Sequence, residues 1–62
     1  MNLQSILKEV NDNYSTRVYG TRNELNNLMH QLDEYTNILS YGLIENNSGL
    51  FVEIVKLEEE KN

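Results

Sequence analysis

Thr21-Arg22-Asn23-Glu24 sets a helix start more firmly than any other stretch of this 62-residue chain. A threonine at the N-cap accepts a hydrogen bond from the backbone N–H three residues on. A glutamate at that third position reaches back to the cap's own N–H, so two orphan donors are satisfied together. Behind the box, Leu25, Leu28, Met29, Leu32, Tyr35 and Leu39 recur at helical spacing, within a stripe roughly 120° wide. The spacing predicts a helix over about 22–41 that stops at Gly42, with Asn23, Asn26, His30, Asp33, Glu34 and Asn37 on its polar back. Ile38 and Tyr41 project away from the stripe. They are either wrapped by the following segment or exposed as a second contact surface.

Upstream, Leu3, Ile6, Leu7 and Val10 sit at i, i+3, i+4 and i+7 behind a candidate N-cap, Asn2. The same stripe continues through Tyr14 and Val18, although residues 11–16 are poor helix formers. The persisting period, with Gly20 where a C′ glycine belongs, predicts one helix over about 2–19. The alternative is a short helix ending near Asp12, with Tyr14–Tyr19 extended. Downstream the period changes. Leu43-Ile44-Glu45 and Leu50–Leu57 flank Asn46-Asn47-Ser48-Gly49, and β-branched and aromatic neighbours around such a link read as a β-hairpin. Leu50–Leu57 is apolar on both faces, so a two-stranded sheet leaves an open edge that pairing across a two-fold axis hides. The expected fold is α+β: two amphipathic helices (about 2–19 and 22–41), then a C-terminal β-hairpin (about 43–57), completed by homodimerisation. Residues 1–62 form one small domain, with 58–62 as a frayed charged tail.

A chain this short buries only about 60% of its unfolded surface, so it needs help from disulfides, a metal or a partner. There is no cysteine, which removes disulfides and thiolate zinc sites, and His30 is the one histidine. Oligomerisation remains. The net charge of −5 disfavours nucleic-acid backbones and anionic membrane surfaces as partners. No apolar run approaches a membrane span and no signal pattern opens the chain, so a cytoplasmic protein is expected. Ten asparagines and no alanine fit an AT-rich coding source, such as a low-GC bacterium or its phage.

Candidate sites are few. His30 faces solvent on a convex helix back, which offers no pocket for metal or acid–base work. Asp33 and Glu34 point about 100° apart on a helix and cannot converge on one bond. Arg17 and Arg22 flank Gly20-Thr21, where free helix N–H groups could meet an anion, but solvated or paired charges explain them as well. Leu25, Leu28, Leu32, Tyr35 and Leu39 keep a 3-4-3-4 spacing, the seam of a short coiled-coil dimer or a face packed on the first helix. Tyrosine is enriched at interfaces, and of the four here Tyr19 and Tyr41, with Ile38, are the candidate partner contacts. Gln31-Leu32-Asp33 shares three residues with the Ser-Gln-x-Leu-Asp motif of a class of small aspartyl-phosphate phosphatases. No residue separates Gln31 from Leu32, so no family assignment follows.

With no nucleophile–base pair and no glycine-rich phosphate loop, neither an enzyme nor a cofactor is expected. The function expected is a small acidic regulator or inhibitor, of the kind phages and mobile elements encode. It would act by occupying a surface of a larger protein, itself as a homodimer. The alternatives are a nucleic-acid mimic that blocks a DNA-binding cleft and a structural subunit of a larger assembly.

Overall fold

A computed structural model describes residues 2–58. The order is helix α1 (Leu3–Asn13), strand β1 (Ser15–Tyr19), helix α2 (Arg22–Leu32), one 3₁₀ turn (Asp33–Tyr35), and strands β2 (Leu39–Asn46) and β3 (Gly49–Lys56). Asn2 caps α1 by accepting from the Gln4 N–H at 3.0 Å. The box that opens α2 closes from both sides: Glu24 N–H donates to Thr21 Oγ1 at 3.2 Å, and Thr21 N–H donates to Glu24 Oε1 at 3.0 Å. Those bonds from Thr21 hold the exposed Glu24 carboxyl below its ordinary pKa of 4.5. A depressed carboxylate pKa stabilises the fold above the unfolded value, and that contribution fades as pH falls through the folded one. Thr21→Ala should cost about 1 kcal/mol near neutral pH. Between about pH 6 and 3, thermal melts should show wild type losing more stability than Glu24→Gln. Parallel losses would mean that the box contributes nothing electrostatic.

The first helix is shorter than its period predicts. It ends at Asn13, and Tyr14 turns the chain in a left-handed conformation (φ 71°) without the help of glycine. Residues 15–19 are strand rather than helix. Asn11, Asp12 and Asn13 favour caps and turns over helix interiors, while Thr16 and Val18 are β-branched. Val18 still faces the core, since it suits a two-residue period as well as a helical one.

The second helix also ends early, at Leu32, nine residues short of the expected Tyr41. Residues 36–38 form a turn, and Leu39, Ser40 and Tyr41 open β2. The hairpin therefore spans 39–56 rather than 43–57. It closes on Asn46↔Gly49 around a two-residue loop, in which Ser48 N–H donates to Asn46 Oδ1 at 2.8 Å. Gly49 has φ 125°, a backbone angle that L side chains rarely adopt.

Nor is the sheet two-stranded. β3 is central in the order β1-β3-β2, antiparallel to both neighbours. This explains why Leu50–Leu57 is apolar on both faces, and it covers both edges of β3 within one chain. Both helices pack on one face of the sheet, α1 against β1 and β3, α2 against β2 and β3. Ile6 and Val10 meet Leu25, Leu28, Leu32, Leu39, Val52 and Ile54 there in a single buried cluster. Glu58 is exposed, and the rest of the expected tail lies outside the described residues.

Candidate docking surface

Side chains alternate across a strand, so the register assigns every strand residue to a face. Val18, Leu39, Tyr41, Leu43, Leu50, Val52 and Ile54 pack beneath the helices. The opposite face has no covering layer among the described residues. Its first row runs across all three strands, Tyr19 on β1 beside Phe51 on β3 beside Ile44 on β2. The second row is Arg17, Glu53 and Gly42, and the third is Ser15, Val55 and Ser40. The β2–β3 pairing runs one step further, with Leu57 N–H donating to the Ile38 carbonyl at 2.9 Å.

Phe51 is only 1% exposed although it lies on this open face. The Tyr19 ring leans on it at 5.0 Å between centroids, tilted 43°, and the Arg17 guanidinium sits 5.0 Å above its centre. Arg17 Nε also donates to Glu53 Oε2 at 3.1 Å. Tyr19 and then Glu53 push the Arg17 pKa further up, so the cation does not titrate in the working range.

Six large apolar side chains are exposed among the described residues: Tyr14, Tyr19, Ile38, Ile44, Val55 and Leu57. All but Tyr14 lie on this face or at its end. Among the described residues its charges are the Arg17–Glu53 pair, which cancel. Glu9, Asp12, Glu24, Asp33, Glu34 and Glu45 lie instead on the helices, the 3₁₀ turn and the helix-facing side of β2. Among the described residues the helix side thus carries these six carboxylates against Lys8, Arg22 and Lys56, an acidic excess, while the open face is neutral.

The candidate residues divide accordingly. Tyr19 is 52% exposed on the open face, and Ile38 is 53% exposed at its end. Ile38 also walls an apolar cleft of about 130 Å³ with Leu7 and Tyr35. Tyr41 lies on the other side of the sheet, half-buried, with its hydroxyl donating to the Asp33 carboxylate. The leucine seam is not a continuous helical stripe. Leu25, Leu28 and Leu32 are buried in the chain's own core, Leu39 is buried on β2, and Tyr35 packs half-buried against them. Helical spacing and core burial coincided because the 3₁₀ turn returns Leu39 to the same apolar layer. Arg17 and Arg22 do not converge, for Arg22 pairs with Glu45 at 3.7 Å. Ile44, Phe51, Val55 and Leu57 escaped the sequence reading as a surface. The alternation of Phe51, Glu53, Val55 and Leu57 against Leu50, Val52 and Ile54 is the signal that marks them.

Among the described residues, no group of three or more His, Cys, Asp or Glu side chains is placed to hold a metal ion. No helix among them is long and apolar enough to cross a membrane. Compared with known proteins, the chain matches no family model, no curated protein and no solved structure.

Proposed function

We propose that this chain is a small acidic regulator or inhibitor that lays the open face of its sheet on a larger protein, and that it works as a homodimer in the cytoplasm. The observation that carries the reading is the gathering of Tyr19, Ile38, Ile44, Val55 and Leu57 on and beside one charge-neutral face. Exposed apolar groups scattered singly need no explanation, but two clusters on one face, Tyr19 with Ile44 and Val55 with Leu57 on either side of the Arg17–Glu53 pair, mark a contact surface. Tyr19 leaning on Phe51, with Arg17 over the same ring, brings together residue types that dominate interface energetics. The carboxylates on the far side keep such a chain dispersed until its partner is met.

The test compares wild type with the double variant Tyr19→Asp/Ile44→Asp, both shown to be folded by circular dichroism. Each is immobilised and offered cytoplasm from the source cell or its host. Proteins retained by wild type at about 0.5 M salt and lost with the variant support apolar docking. Retention that ignores the variant but collapses in salt would shift the reading to nucleic-acid mimicry by the acidic layer.

A further inference from the structure

The open face of one chain is small. Three strands about 4.8 Å apart and some seven residues long present roughly 350 Å², whereas a standard interface takes about 800 Å² from each partner. We infer that the β2 edge pairs with the β2 edge of a second copy, across a two-fold axis through Leu43, giving one continuous six-stranded sheet. This rests on the homodimer reading above and names the edge, the register and the contact that selects it.

The hydrogen-bond pattern shows which groups are free. The bond from Leu57 N–H to the Ile38 carbonyl makes Ile38 a bonded partner of β3. Bonding alternates along an antiparallel ladder, so Ser40, Gly42, Ile44 and Asn46 also bond to β3. Leu39, Tyr41, Leu43 and Glu45 therefore turn their N–H and C=O groups away from the sheet. No other backbone hydrogen bond among the described residues uses them. The edge is eight residues long, without proline, without a break in register and with Glu45 as its one charge. Apart from that one charge, it lacks the prolines, bulges and short length that natural sheets use to block pairing. β1 is a poorer template, being five residues long with Arg17 at its centre.

A two-fold pairing that keeps both helix layers on one side must be centred on a residue, because faces alternate every residue. Centring on Leu43 sets Ile44 of each copy opposite Gly42 of the other. A Cβ at Gly42 would meet nothing within 4 Å, so the position leaves a side-chain-free gap beside Ile44 on the open face. Ile44, two residues along on the same face and 36% exposed, is the knob that fills it. Residues 42 and 44 make a non-hydrogen-bonded pair in this register, the kind in which side chains approach most closely. On the helix side, a cleft of about 280 Å³ walled by Asn26, Met29, His30, Asp33 and Tyr41 runs beside the same strand. The second copy's α2 would close it and cover half-buried Met29 and Leu43. The two Glu45 side chains would stand about 14 Å apart along the ladder, beyond the screening length of about 8 Å.

Sedimentation equilibrium of the full chain at about 100 µM should show a dimer. A Cβ at Gly42 meets nothing within 4 Å in its own chain, so Gly42→Val should keep the wild-type circular dichroism spectrum while the dimer's dissociation constant rises at least tenfold. Adding Ile44→Ala to Gly42→Val trims the opposing knob and should restore the dimer. Amide exchange at Tyr41, Leu43 and Glu45 should slow as wild-type concentration rises. A wild-type monomer overturns the homodimer reading altogether. A Gly42→Val chain that dimerises as wild type does overturns this edge and register alone.

Discussion

Leu25→Ala should leave much of the chain unfolded at 25 °C. Leu25 is completely buried, on the face of α2 that meets the sheet, in the cluster shared with Ile54 and Val52. Removing three side-chain carbons, Cγ and its two methyls, from such a site costs about 2–5 kcal/mol in lost transfer energy and unfilled volume. At roughly 0.05–0.15 kcal/mol per residue, a domain of this length has only about 3–9 kcal/mol in total. A thermal melt followed at 222 nm should move down by at least about 10 °C, on the scale of 4–8 °C per kcal/mol for small domains. A drop under about 5 °C would show that Leu25 is not packed as described. If the dimer forms, the midpoint of either protein should also rise with concentration.

Phe51→Ala should have an effect of similar size for a different reason. Phe51 lies outside the core beneath the helices, yet the ring of Tyr19 and the guanidinium of Arg17 seal it from water on the open face. Truncating a buried phenylalanine costs about 3–5 kcal/mol, and here part of that cost belongs to the cover. In a Tyr19→Ala background the Phe51 ring is already wet, so the two losses should fall short of additive by about 0.5–1.5 kcal/mol, the range for an aromatic pair. Urea unfolding of the two single variants and the double variant measures this. Strict additivity would mean that Tyr19 does not cover Phe51 in solution, and the aromatic centre of the proposed docking face would be lost with it.

Local chemistry was enough for the parts of the fold that depend on a few neighbours. The Thr21–Glu24 box, the Asn2 cap and the turn at residues 46–49 each satisfy backbone groups within three residues. They formed where their residue types require. The leucines of α2 were legible as a buried stripe, because an apolar face on a helix has to meet another element. The open face was legible only in part. Tyr19, Ile38 and Tyr41 were singled out as contacts, of which Tyr41 is half-buried on the helix side, and nothing local shows that Phe51, Ile44 and Val55 come into register with Tyr19.

The sequence by itself determined where α2 begins, which face of it is buried and where the hairpin turns. Only the tertiary structure decided what Ser15–Tyr19 and Leu39–Tyr41 become. Val18 in the first stretch and Leu39 in the second fit a 3.6-residue period and a two-residue period alike, so these positions do not choose between helix and strand. The choice falls to β3. Its eight residues are apolar on both faces and expose backbone donors and acceptors on both edges, and a buried strand with unpaired edges is costly. Drawing residues 15–19 to one edge and 39–46 to the other satisfies those groups, at the expense of two longer helices. The same choice leaves the neutral open face and the β2 edge exposed, the two surfaces on which the proposed partners act.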